Sequence, residues 1–172
     1  MSRPRLVLVG PMGAGKTTVG RRLADTWGLG FRDTDLDVEA SEGRAVSDIF
    51  VDSGEARFRE LEREAVAAAL AGHDGVLALG GGAVLDETTR SALAAHRVVF
   101  LRVGLSDAAK RVGLGVSRPL LLGNVRGRIK QLIDERTPIY ESVATHTVVT
   151  DGLGVDEVVA QVRALVEEDA HA

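Results

Sequence analysis

The sequence predicts an α/β fold in which a parallel sheet of five strands is covered by helices on both faces. Three observations carry this. Short apolar runs alternate with longer stretches of helical period, the rhythm of successive β–α units. The runs are apolar without strict alternation, as strands buried on both faces are. The first of them passes through a glycine-rich turn directly into a helical pattern.

Taken in order, Leu6–Val9 (LVLV) is a β-rich run, and Lys16–Trp27 sets Val19, Leu23, Ala24 and Trp27 on one helical face before a Gly28 stop. A weaker strand falls at 30–32. Thr34 or Asp35 could then cap a helix over 36–41. Helical patterns follow at 54–71, 87–95, 125–133 and 155–167, with strands at 76–79, 98–103 and 147–150. The stretch 113–124 (GLGVSRPLLLGN) mixes glycines, a proline and an apolar triplet without period, as a mobile loop would.

A length of 172 residues fits one domain with one sizeable core. Glycine is in excess, 20 residues with only 4 prolines, so the excess is local in purpose and not a linker composition. A net charge of −4 argues against nucleic acid or an anionic membrane as partner, and six aromatic residues do not make a base-stacking platform. The absence of cysteine removes disulfides, thiolate metal sites and Cys nucleophiles together. The apolar run before Gly10 is too short for a signal segment or a membrane span, so a cytoplasmic protein is expected. No heptad or long apolar surface stripe stands out, and a monomer is expected.

The strongest motif is GPMGAGKT, residues 10–17, which fits G-x-x-x-x-G-K-[ST] between a strand and a helix, the context that motif requires. Backbone N–H groups of such a P-loop form a nest around phosphate oxygens, and the positive helix end behind them favours the same anion. Lys16 then reaches the β/γ-phosphates and the Thr17 hydroxyl is set to coordinate Mg²⁺. Base-reading guanine switches use a K-x-D loop. Lys16, Lys110 and Lys130 are the only lysines and none is followed by x-Asp, which favours an ATP-type site.

Four further motifs each admit two readings. The DTD at 33–35 can be a helix cap, or it can hold a metal through water and accept a proton from an attacking hydroxyl. In GEARFRELE (54–62), Glu55 and Glu62 can pair with Arg59 on the surface, or Arg59 can clamp an anion with Phe58 as an apolar wall. Gly80, Gly81 and Gly82 follow a strand and can be a plain turn, or can bring backbone donors close to a ligand. Arg118 in the irregular stretch and Arg136 before Thr137-Pro138 can meet water, the latter at a helix end, or deliver cations to an anion.

Together, GPMGAGKT, DTD, the block from SDIF (47–50) through GEARFRELE, GGG, RPLL (118–121) and RTPIY (136–140) resemble, in order and spacing over residues 6–149, the shikimate kinases, P-loop kinases of the nucleoside-monophosphate-kinase-like superfamily. The resemblance implies a three-layer P-loop fold with sheet order 2-3-1-4-5, one kinase domain over 1–172, an acceptor-binding segment at 33–62 and a mobile lid at 113–124. It implies transfer of the ATP γ-phosphoryl group, with Mg²⁺, to the 3-hydroxyl of shikimate, in aromatic amino-acid biosynthesis. By the same resemblance Gly13, Ala14, Gly15, Lys16, Thr17 and Thr18 hold the phosphates, Thr17 and Asp33 serve the metal, and Asp35 binds the acceptor hydroxyls as base. Arg59 and Arg136 grip the shikimate carboxylate beside Phe58, and Gly80, Gly81 and Gly82 contact shikimate through backbone. Arg118 is implied as the lid arginine at the phosphates and Arg111 as the cover of the adenine. Two departures stand out: the lid segment shows no evident second cation, and 151–155 lacks a basic residue that some members place there. The alternatives are a kinase for another small hydroxy acid such as gluconate, and a nucleotide-binding switch without an acceptor.

Overall fold

A computed structural model describes residues 3–113 and 125–171. Strands β1 (Leu6–Val9), β2 (Phe31–Asp33), β3 (Val76–Ala78), β4 (Val98–Arg102) and β5 (His146–Val149) form one all-parallel sheet in the order β2-β3-β1-β4-β5. Helices α1 (Lys16–Trp27), α2 (Thr34–Glu42), α3 (Val46–Ser53), α4 (Glu55–Gly72), α5 (Glu87–Leu93), α6 (Leu105–Gly113), α7 (Val125–Val143) and α8 (Val155–His171) surround it. The expected fold class and strand order are both observed.

The period-2 geometry of a strand explains the two cores. Leu6 and Leu8 of β1, with Val99 and Leu101 of β4, point to one face and pack against α1 and α8 through Leu23 and Val162. Val7 and Val9, with Val98 and Phe100, point to the other and meet Val66 and Leu70 of α4 and Tyr140 of α7. Each such side chain, removed from water, contributes about 1.5–3 kcal/mol. A smaller cluster of Val38, Ile49, Phe58 and Leu61 ties α2, α3 and α4 together beside the sheet.

Connections leave β1 toward one edge of the sheet and β4 toward the other, although the two strands are neighbours. Ligands of open α/β sheets bind above the carboxyl ends of the strands at such a switch. The glycine-rich loop after β1, Asp33 to Asp35 after β2, Gly80 to Gly82 after β3 and Thr150 to Gly154 after β5 all lie at that end.

Several local expectations are corrected. The third strand stops at Ala78, the fourth at Arg102, and the fifth runs His146–Val149. Helix α3 was not anticipated, since Val46, Ile49, Phe50 and Val51 are indifferent helix formers; burial of Ile49 in the satellite cluster decides it. Helix α6 was also missed, although Asp107 in its first turn and Lys110 and Arg111 in its last suit the helix dipole. The cap of α2 is Asp33, whose Oδ1 accepts from the Asp35 and Leu36 N–H groups, and not Thr34 or Asp35. Helix α7 does not end near residue 133 but runs through Pro138 to Val143, so Arg136 is a mid-helix residue. Proline forfeits one backbone hydrogen bond there, and the Thr137 hydroxyl donates to the Ile133 carbonyl at 2.6 Å. Of the expected lid at 113–124, Gly113 closes α6, and the rest, with Arg118, lies outside the described residues.

Candidate active site

The phosphate loop is shaped by its glycines. Gly10, Gly13 and Gly15 have φ of 152°, 84° and 92°, conformations that a side chain disfavours, and a Cβ on Gly10 would stand 2.6 Å from the Leu101 carbonyl oxygen. Gly15 caps α1, so Lys16, Thr17 and Thr18 form its first turn and direct backbone donors into the loop. Lys16 Nζ donates to the Gly10 and Pro11 carbonyls at 2.6 and 3.0 Å, folding the ammonium over the loop's own rim. Burial lowers its pKa to about 8; Asp35 and Asp33 oppose the shift and Arg136 adds to it.

The Thr17 hydroxyl donates to Asp33 Oδ2 at 3.0 Å, while Asp33 Oδ1 is occupied as the cap of α2. A hydroxyl and a carboxylate are thus paired at the entrance of the phosphate loop, a hard-oxygen donor set suited to Mg²⁺.

The second half of the site forms around the glycine triplet. A Cβ on Gly80 would lie 2.5 Å from Asp35 Oδ1, one on Gly82 2.5 Å from Arg59 Nη1, and one on Gly81 3.7 Å from Arg136 Nη1. Three charged side chains from α2, α4 and α7 therefore lie against one backbone turn, and a Cβ at Gly80 or Gly82 would push the Asp35 carboxylate or the Arg59 guanidinium aside. The Gly80 N–H donates to the buried Thr34 hydroxyl at 3.2 Å, holding the turn against the end of β2.

Asp35 Oδ1 is buried and finds no hydrogen-bond partner among the described residues. Burial, then the neighbouring Asp33 and Glu62 carboxylates, raise its pKa to about 6, against the pull of Lys16. A carboxylate held near neutral pH with a free oxygen is poised to take a proton.

Arg59 donates to Glu62 at 2.8 Å and stands 3.5 Å from Glu55, so the ion pairs anticipated from spacing exist. Glu62, however, is only 4 % exposed. Its carboxyl is pushed up by burial, while the Arg59 hydrogen bond and charge, then Arg136, pull it down. It is the buried counter-ion of Arg59, a burial that sequence reasoning missed; its place on the buried stripe with Phe58, Leu61 and Val66 was the available signal. Phe58, 3 % exposed, underlies the Arg59 guanidinium at 5.4 Å and stacks on Phe50 at 4.8 Å. It supports Arg59 from the satellite core. Tyr140, also missed, is 1 % exposed and its hydroxyl donates to the Gly81 carbonyl at 2.6 Å.

Beside the phosphate loop lies a cavity of about 370 Å³ lined by Gly15, Thr18, Val19, Arg111, Leu153 and Val155 among others. Arg111 spans it, donating to the Gly13 carbonyl at 3.0 Å and to the Thr150 hydroxyl and carbonyl at 3.2 and 3.3 Å. The segment after β5 is fixed by backbone donors: Gly104 N–H reaches Asp151 at 2.7 Å and Gly152 N–H reaches Asp107 at 2.9 Å. The size and mixed lining suit a nucleobase next to its phosphates. Arg111 and the phosphate-loop residues are thus brought together on one side, and Asp35, Arg59, Arg136 and the glycine triplet on the other. Lys16 and Asp33 lie between them.

Comparison with known proteins agrees with this geometry. A family model described as shikimate kinase matches residues 12–167. The chain is 61 % identical over 162 residues to the shikimate kinase of Salinispora arenicola (strain CNS-205), covering 94 % of this chain and 97 % of that one. It is 62 % identical over 149 residues to that of Thermobifida fusca (strain YX), covering 87 % of each. Among solved structures, the shikimate kinase of Acinetobacter baumannii in complex with shikimate superposes with a TM-score of 0.90 at 33 % identity, over 98 % of this chain and 95 % of that one. A phosphate loop at the switch point of a 2-3-1-4-5 sheet, a family model over residues 12–167 and relatives about 60 % identical over nearly the whole chain make this protein a member of the shikimate kinase family.

Proposed function

We propose that this chain transfers the γ-phosphoryl group of ATP to the 3-hydroxyl of shikimate, giving shikimate 3-phosphate and ADP. The observation that carries this reading is the convergence of Asp35, Arg59 and Arg136 on the Gly80–Gly82 turn, which lies against the phosphate loop, a Cβ on Gly81 standing 3.7 Å from the Gly10 carbonyl oxygen. Two arginines suit a planar carboxylate, which each can grip through paired N–H groups. The turn supplies backbone donors and Asp35 a carboxylate for the hydroxyls.

In the reaction the acceptor oxygen bonds to the γ-phosphorus as the bond from that phosphorus to the bridging β-oxygen breaks. Asp35 accepts the hydroxyl proton; with its pKa near 6 it is mostly ionised at neutral pH. Lys16 exchanges the Gly10 and Pro11 carbonyls for phosphate oxygens and stabilises the charge that develops on them. Thr17, with Asp33 acting through water, would hold Mg²⁺, which when bound neutralises phosphate charge. Gly13, Ala14, Gly15 and Thr18 complete the phosphate cradle, and Arg111 flanks the adenine cavity. Arg118, which lies outside the described residues, is assigned to the phosphates by the family resemblance. Because both halves of the site are built from one chain, the working unit is a single-domain monomer, acting in the cytoplasm. Among the described residues no helix is long and apolar enough to cross a membrane.

The test is phosphorus NMR of the product formed from Mg-ATP and shikimate, with gluconate in parallel. Shikimate 3-phosphate is expected, and Lys16→Ala should lower turnover at least ~10²-fold, since a preorganised charge at the transferring group is lost. Preferential phosphorylation of gluconate, or ATP binding without turnover on either acid, would replace this reading by another kinase or by a nucleotide switch.

A further inference from the structure

The Gly80–Gly82 triplet poses a conformational problem that the site cannot tolerate. The segment is a tight turn closed by the Ala83 N–H donating to the Gly80 carbonyl at 3.1 Å. Gly82, at φ −99° and ψ 1°, has the geometry of the third residue of a type I turn. Rotating the central peptide, between Gly81 and Gly82, by about half a turn would convert it to type II, which needs positive φ at that third residue. Most residues resist that change. Glycine does not, so a turn made of three glycines has little intrinsic preference between the two.

The two forms differ in where the central peptide points. In a trans peptide the Gly81 carbonyl and the Gly82 N–H face opposite ways, and a flip exchanges them. Among the described residues one side chain donates to the carbonyl. The Tyr140 hydroxyl donates to it at 2.6 Å from a ring that is 1 % exposed, packed on Phe100 with centroids 5.0 Å apart. That ring stands on α7 one turn beyond Arg136, and Pro138 separates the two.

We infer that Tyr140 is a positioning residue of the acceptor site, whose hydroxyl locks the Gly81–Gly82 peptide in one orientation and so keeps the turn's backbone donors aimed at the acceptor. This rests on the reading that the Gly80–Gly82 turn faces shikimate. Tyr140, buried beneath the turn with Arg136 beside its hydroxyl, acts through the glycine backbone. The arrangement lets the turn stay free of side chains, as the close approach of Asp35 and Arg59 requires, without leaving it free to flip.

Tyr140→Phe keeps the ring and removes the hydroxyl, and with it both the bond to the Gly81 carbonyl and the hydroxyl's interaction with Arg136. The expected result is a KM for shikimate raised roughly five- to tenfold, the worth of one hydrogen bond, with the KM for ATP unchanged within twofold. The Gly81 and Gly82 amide signals of the variant, read by nitrogen–proton NMR without substrate, should broaden or double. A role in packing alone, or one exerted only on Arg136, would leave a single sharp set of glycine amides, which overturns the inference whatever the shikimate KM does. Since Tyr140 is the only tyrosine of the chain, growth on 3,5-difluorotyrosine alters this one phenol and gives a second test without a substitution. Ionisation of the fluorinated phenol removes the donor, so the Gly81 and Gly82 amides of the labelled protein should broaden or double at a pH where those of unlabelled protein do not; identical amide spectra across pH count against the lock. If the wild type fails to phosphorylate shikimate, the functional reading fails, whereas the amide NMR still decides the lock.

Discussion

Asp35 shows how a single side chain trades stability for chemistry. Its carboxyl, with one oxygen unpartnered, is held at about 6 where an unfolded chain would leave it near 3.8. A raised acid pKa means the folded protein binds the proton more tightly, so the stability cost of ionising Asp35 grows as pH rises from about 4 to 6 and is complete above that window. Asp35→Asn should therefore raise the melting temperature at pH 8 relative to wild type, with no gain at pH 4, while turnover falls by roughly 10²–10⁴-fold. For the wild type, kcat/KM should decline below about pH 6 as the base is protonated. A variant no more stable at pH 8 than at pH 4 would remove burial as the cause. The residue types of this centre were readable in the DTD, GEARFRELE and RTPIY motifs. The burial of the Glu62–Arg59 pair was not, because i, i+3 spacing is the same for a solvated pair and a buried one.

At the scale of elements, short β2 carries Asp33 to the phosphate loop, and its position depends on how closely it lies against β3. The approach is tightest at their entry. Val76 N–H donates to the Gly30 carbonyl at 3.0 Å, and a Cβ on Gly75 would stand 2.0 Å from that same oxygen. Backbone cannot yield as a side chain can. Gly75→Ala should cost about 1–3 kcal/mol in urea unfolding, in line with overpacking a tight contact, and should lower kcat by displacing Asp33 relative to Thr17. Unchanged stability would mean that β2 can slide at no cost. Strands β1 and β4 were legible because uninterrupted apolar runs have few other homes. Helices α3 and α7 were not fully legible: local propensity disfavours both Val46–Ser53 and a proline at 138, and tertiary burial of Ile49 and Tyr140 outweighs it.

Across the whole molecule, two arginine-bearing clusters share the carboxyl edge of the sheet. Arg111 serves the cavity beside the phosphate loop, and Arg59 serves the glycine turn. Arg59→Ala should raise the KM for shikimate about tenfold or more, the loss of a charge-assisted hydrogen bond of ~1.5–3 kcal/mol, and Arg111→Ala should weaken ATP instead. Each variant should leave the other substrate's KM within twofold; a crossed effect would show that the two compartments are energetically one. The sequence by itself determined the phosphate loop, the strand alternation and the residue types of the acceptor site, since left-handed glycines, periodicity and contiguous motifs are local properties of the chain. Only the tertiary structure decided that Asp35, Arg59, Arg136 and Tyr140, spread over a hundred residues, meet at three glycines. That meeting sets the pKa of Asp35, buries Glu62 and fixes the turn, because desolvation and close approach exist only once distant segments are packed together.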